Sequence, residues 1–278
     1  MMLRCLIALL TLGALVLAAP ASATPGAIQP GDQLVGGGTL SFVFDGVGEH
    51  AGKVYITTAA HIVDEGESVG SLPYENFGTV VLRGTPGVHE KDWAFIEVKP
   101  EFHQYVKAAV KGHPEYPTGI ATKQDTFAGD LLQFSGYGAF FQMTPTTQEQ
   151  RVGVLLAHEP TFVRFVGPGT PGDSGGPIVH VESGKALSLH FGPGLGPTYD
   201  SILSQAAERG LTVMLRTVES DSGAGGAERD VPNSTASTRA AYPDAEAAKE
   251  MPVGALGNAL AVVLIALLPR SRRWCRRN

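Results

Sequence analysis

Pro171-Gly172-Asp173-Ser174-Gly175-Gly176-Pro177 sets one serine among three glycines, with a proline closing each end. Glycine on both sides lets the backbone turn tightly, so that the hydroxyl stands clear of the chain. Neighbouring N–H groups in such a turn can face a developing oxyanion, as hydrolysis of an acyl bond requires. A bare Gly-rich turn joining two strands would look the same, so the partners of the serine decide the reading.

Serine is a weak nucleophile at its free pKa and needs a base within hydrogen-bond reach, best a histidine whose tautomer is fixed by a carboxylate. Thr57-Thr58-Ala59-Ala60-His61 supplies the histidine directly after a β-like run, where small residues let the backbone approach the site. Lys91-Asp92-Trp93-Ala94-Phe95-Ile96 supplies the carboxylate at the head of an apolar strand, where an acid is costly unless paired. Asp64 stands too close to His61 in sequence to come from a separate strand, and Asp125 and Asp130 flank a loop. Asp92 is therefore the expected partner. The remaining histidines, His50, His89, His103, His113, His158 and His180, show no helical i, i+4 pair and no Glu-x-x-His companion, so surface or core positions are expected for them, with no metal and no cofactor.

Outward from these motifs, short β-like runs separated by Gly, Pro and Asn extend from about residue 34 to 217. The runs are Thr39–Phe44, Val54–Thr58, Thr79–Arg83, Trp93–Val98, Leu131–Gly136, Gln150–Ala157, Thr161–Val166, Pro177–Val181, Ala186–Phe191 and Leu211–Thr217. They predict an all-β body, and their number fits two small barrels better than one sandwich. Tyr199–Arg209, with Ile202, Leu203, Ala206 and Ala207 at helical spacing and Gly210 behind, predicts a helix.

The flanks read differently. Residues 1–23 carry one charge, Arg4, then the apolar run Leu6–Ala19 and Ala21-Ser22-Ala23, the pattern of a signal peptide cleaved after Ala23. Residues 24–217 form the body. Residues 218–250, rich in Ser, Gly, Ala, Asp and Glu, predict a disordered linker. Residues 251–268 are apolar apart from Asn258, and at 1.5 Å per residue span roughly 27 Å, just short of a bilayer core of about 30 Å. Five arginines follow within residues 269–278, which predicts a cytoplasmic end and an outward-facing body, the segment being either a lasting transmembrane anchor or a removable sorting signal.

Charge follows the same division. Six of the 21 basic residues, Arg4 and the five terminal arginines, lie outside 24–250, which leaves 15 against all 27 acidic ones, a net of −12. A surface so acidic gives no electrostatic basis for binding nucleic acid. Both cysteines, Cys5 and Cys275, also fall in the flanks, so the body holds no internal disulfide and is stabilised by burial.

The Thr-Ala-Ala-His stretch, the Asp-Trp-Ala stretch and Gly-Asp-Ser-Gly-Gly-Pro, in that order, resemble the trypsin/chymotrypsin-like serine protease family over roughly Leu34 to Thr217. The order His, Asp, Ser separates this arrangement from subtilisin-like and α/β-hydrolase enzymes. The resemblance implies two antiparallel six-stranded β-barrels with a C-terminal helix and a site in the cleft between them. His61 and Asp92 would come from the first barrel and Ser174 from the second, with the Gly172 and Ser174 N–H groups as the oxyanion hole. The implied activity is exported serine endopeptidase on protein or peptide substrates. The other class to be weighed is a protease-shaped binding module, catalytically weak and tethered at the cell surface.

Departures from the family pattern are informative. Ile62 stands where many members have cysteine, as in disulfide-free bacterial members. Gln33-Leu34-Val35-Gly36-Gly37 lacks the basic residue of a zymogen cleavage site, so a new N-terminus paired with Asp173 is not expected. Pro168, six residues before Ser174, replaces the carboxylate that selects Lys and Arg. His190 falls where glutamate-specific members place a histidine; with Pro168 and Gly192 it is expected to shape a substrate pocket taking either an acidic or a small apolar side chain, and a histidine packed beneath the cleft fits the sequence equally.

Overall fold

The structure is a computed structural model that describes residues 26–71, 74–138 and 151–222. The leader, most of the linker, the apolar segment and the basic end fall outside the described residues. Among the described residues no helix is long and apolar enough to cross a membrane.

Twelve strands form two antiparallel six-stranded sheets. The first contains β1 (Val43–Gly46), β2 (Val54–Thr58), β3 (Ser68–Ser71), β4 (Tyr74–Arg83), β5 (Ala94–Val98) and β12 (Val213–Leu215), in the order β12-β1-β2-β5-β4-β3. The second contains β6 (Leu131–Phe134), β7 (Arg151–His158), β8 (Phe162–Val166), β9 (Pro177–His180), β10 (Lys185–Leu189) and β11 (Leu195–Pro197), in the order β10-β9-β6-β7-β8-β11. Each sheet curls on itself. Leu34 bridges Ser71 on β3 while Ser41, a few residues on, donates to Thr57 O on β2 at 2.7 Å, so one stretch touches both sides of the first sheet. Bridges Ser188–Thr198 and Gly192–Leu195 bring β10 back to β11 in the second.

The period of two along a strand sends alternate residues to opposite faces, and along β2 and β5 both faces are buried. Val43, Val54, Ile56, Ala94, Ile96 and Val98 fill the first barrel, with Ile56 directly opposite Ile96. Their neighbours Phe44, Tyr55 and Phe95 turn outward into a second cluster with Trp93, Leu189, Tyr199 and Ile202. That cluster is the seam between barrels, where one-sided strands would have shown polar residues. A third cluster, including Leu132, Phe134, Leu155, Phe165 and Ile178, fills the second barrel. Fully burying each such side chain contributes about 1.5–3 kcal/mol.

Ten of the strands coincide with the runs read from sequence, within a few residues at each end. Two do not: β3 and β11 consist of serine, glycine and proline with one apolar residue each. Their pairing partners β4 and β8 impose the extended conformation. At Gly196 a Cβ would overlap Leu189 O, so the close approach of β11 to β10 itself demands glycine.

Helix α1 (Tyr199–Glu208) begins at Thr198, whose side chain accepts from Ser201 N–H, and stops at Gly210, which takes a positive φ of 89°. Its Gln205 is a clamp: Oε1 accepts from Trp93 Nε1–H at 3.2 Å and Nε2–H donates to Glu90 O at 3.0 Å. The helix thus fixes both sides of Asp92. After β12 the chain continues as a short helix, α2 (Val218–Ser222), whose Asp221 carboxylate accepts from Ala108 N–H at 3.1 Å.

Candidate active site

Strand β2 ends at Thr58, and Ala59 and Ala60, both fully buried, carry the chain into a 3-10 turn at Ala60–Ile62. This turn lifts His61 out of the barrel wall. Asp92, 0% exposed at the head of β5, faces it. Its Oδ1 lies 3.1 Å from His61 Nδ1 and accepts from His61 N–H at 2.9 Å, while Oδ2 accepts from Gly87 N–H at 2.6 Å. Three donors on a buried carboxylate replace the water it has lost, and they fix the imidazole with its Nδ1 proton toward the acid. On the opposite edge of the ring, His61 Nε2 stands 2.9 Å from Ser174 Oγ. The three residues read from sequence are thereby brought into one hydrogen-bonded line. The competing aspartates are engaged elsewhere: Asp64 by Arg83, Asp125 by Lys185 and Asp130 by His180.

The serine turn is held against the first barrel by a residue the sequence did not single out. Thr39 N–H donates to Ser174 O at 2.8 Å, Thr39 Oγ1–H donates to Gly172 O at 2.8 Å, and Thr39 O accepts from Thr58 Oγ1–H at 2.8 Å. Gly175, with φ of 87°, lies so close to Thr58 and Ala59 that any Cβ would collide. The Gly172 and Ser174 N–H groups make no backbone–backbone hydrogen bond among the described residues.

The Asp173 pocket is filled from within the chain. Arg151, 5% exposed on β7, donates Nη1–H to Asp173 Oδ2 at 2.7 Å and Nη2–H to Gly136 O at 2.6 Å. Gly138 N–H and Thr170 N–H complete the carboxylate's shell, each at 2.8 Å. The Leu34–Val35 stretch lies elsewhere, Leu34 pairing with β3 and Val35 being exposed. Arginine inside an alternating strand carries no sequence signature of this role.

His190 is bonded through its backbone to the serine turn, donating to Gly176 O at 2.8 Å and accepting from Gly175 N–H at 2.7 Å. Its ring is buried between Phe134 and Phe165, beside Pro168 and the Arg151–Asp173 pair, and among the described residues neither ring nitrogen has a hydrogen-bond partner. Burial pushes its pKa down to about 4, against the opposing pull of the Asp173 carboxylate. The surrounding aromatic rings cannot solvate a charge, and so disfavour the cationic imidazole that an acid-selecting pocket would use. Gly192 pairs with Leu195 at the rim, and Phe191 sets its ring edge-on to His61 at 5.9 Å. His89 adds a further aromatic contact with Phe162 at 4.6 Å.

Two six-stranded antiparallel sheets, with the histidine and aspartate from the first and the serine from a turn entering the second, decide the architecture. The fold is chymotrypsin-like. No protein-family model and no curated protein sequence matches the chain. Among solved structures it is similar to Nocardiopsis protease (NAPase), 19% identical with a TM-score of 0.49 over 69% of this chain and 100% of that one. It is also similar to the alpha-lytic protease homolog N4, 17% identical with a TM-score of 0.43 over 69% of this chain and 99% of the other.

Proposed function

We propose that the chain is a serine endopeptidase that works through an acyl-enzyme. The observation carrying this reading is the unbroken line from Asp92 Oδ1 through His61 to Ser174 Oγ, with contacts of 3.1 and 2.9 Å. Ser174 Oγ attacks the scissile carbonyl carbon while its proton passes to His61 Nε2, and Asp92 stabilises the imidazolium that results. The carbonyl oxygen, now negative, takes the Gly172 and Ser174 N–H groups. Collapse of the intermediate breaks the C–N bond, and His61 returns the proton to the departing amine. Water then repeats the sequence, with His61 as base, and releases the acid and Ser174.

Specificity follows from the pocket residues. Pro168 offers no charge to Lys or Arg, and a neutral His190 offers no cation to Glu. The reading is therefore preference for an uncharged side chain before the cleaved bond, with cleavage after Gln at least equal to cleavage after Glu at pH 7. The same reading makes the enzyme exported, with residues 1–23 as its leader and residues 251–278 as anchor or sorting signal.

A fluorophosphonate reagent tests the assignment directly. One adduct per chain should form on Ser174, and none on Ser174→Ala or on unfolded protein. A folded chain that resists the reagent and cuts no peptide in a mixed library would instead be a binding module.

A further inference from the structure

On the second barrel, three potential metal ligands converge where the sequence shows no metal pattern. Asp130 precedes β6, His180 ends β9, and Glu182 follows on the turn into β10. One ligand atom from each, a carboxylate oxygen from the acids and a ring nitrogen from the histidine, all lie within 4.8 Å of one another. We infer that Asp130, His180 and Glu182 bind one divalent transition-metal ion of the zinc type.

The arrangement within the group supports this chemistry. His180 is 1% exposed, its Nε2 lies 3.0 Å from Asp130 Oδ2, and its Nδ1 lies 2.7 Å from Ser183 Oγ. Tetrahedral zinc, with bonds of about 2.0–2.2 Å, sets neighbouring ligand atoms roughly 3.4 Å apart, so this edge needs to open by only a few tenths of an ångström. Glu182 is exposed, and its side chain is long enough to swing in. Ser183 then plays the outer role typical of metal-bound histidine, accepting the Nδ1 proton and fixing the tautomer that presents Nε2. An imidazole in the set favours zinc, cobalt or nickel over calcium or magnesium.

Charge points the same way. Two carboxylates flank one imidazole, and among the described residues no Lys or Arg pairs with either of them. Lys185 sits opposite His180 in the β9–β10 ladder, but its ammonium is taken by Asp125 at 2.7 Å. A bound dication would supply the missing charge. On binding it takes the Nε2 lone pair, and the ring's single N–H sits on Nδ1, where Ser183 Oγ accepts it. It would then tie the entrance of β6 to the β9–β10 turn, cross-linking a body without disulfides at the far end of the strand that follows the serine turn.

The test uses the full chain carrying Ser174→Ala, stripped with chelator and titrated with Zn2+ by calorimetry. One ion per chain should bind, and Tm should rise. Glu182→Gln, at an exposed position, should leave the metal-free Tm unchanged and weaken binding at least tenfold. Ser183→Ala should weaken it about 10–100-fold. Saturable binding of equal strength in Glu182→Gln would place the ion elsewhere, for instance at His61. No saturable binding below about a millimolar would reduce the group to a plain His–Asp hydrogen bond. Either result overturns the inference.

Discussion

Replacing Arg151 by methionine would keep most of the side-chain volume on β7 and remove the charge that faces Asp173. Two hydrogen bonds go with it, Nη1 to Asp173 Oδ2 at 2.7 Å and Nη2 to Gly136 O at 2.6 Å. Asp173, 3% exposed, would remain as a buried carboxylate without its counter-ion. Breaking one side of a buried pair costs about 3–5 kcal/mol. The Gly138 and Thr170 N–H groups still serve the carboxylate, which sets the expectation at the lower end, about 3 kcal/mol. For a body of this size that corresponds to a fall in Tm of about 6–12 °C. Denaturant unfolding in a Ser174→Ala background, where self-digestion cannot intervene, measures the loss. The same change in active enzyme should lower kcat/KM, because Asp173 sits between the two proposed oxyanion donors. Adding Asp173→Asn to Arg151→Met should recover part of the stability by removing the orphaned charge. A loss under about 1 kcal/mol, or a double variant no more stable than the single, would refute the claim that this pair supports the serine turn.

Ser174→Ala and His61→Ala should each lower peptide turnover by about a million-fold, and a variant retaining activity would remove that residue from the proposed triad. Asp92→Asn should fold yet turn over about ten-thousand-fold more slowly, read from kcat on a peptide substrate, since the imidazole would be held in the wrong tautomer. His190 titrates near 6.5 when unfolded and at about 4 when folded, so the unfolded chain binds the extra proton between those values. Its contribution is complete above pH 6.5 and is lost as pH falls to 4, by as much as about 3 kcal/mol, and His190→Phe should flatten that part of the stability curve. Ending the chain after Thr217 rather than Ser222 removes the bonds Asp221 Oδ2 to Ala108 N–H and Val218 N–H to Pro117 O, at 3.1 Å each. The shorter form should be about 1–3 kcal/mol less stable by urea titration, and equal stability would show that α2 adds nothing.

Local sequence was sufficient wherever local chemistry dictates the outcome. The strands of Val54–Thr58 and Ala94–Val98, the helix from Tyr199 and the glycine-framed Ser174 follow from periodicity, capping and turn propensity, which act over a few residues. His61 and Asp92 were legible because each sits at the end of an apolar run where a polar side chain needs a reason. Tertiary structure alone decided what depends on distant segments. Thr39 clasps a turn 133 residues away, and Arg151 answers Asp173 from a strand whose alternation gives no hint of it. His190 stands at a position that can read as an acid receptor, yet its protonation is set by Phe134 and Phe165, which only folding brings around it. Asp130 and His180 lie 50 residues apart in sequence and meet because β6 and β9 are neighbours in the sheet. Spacing rules for metal sites look along one helix or turn, whereas here sheet pairing sets the distance.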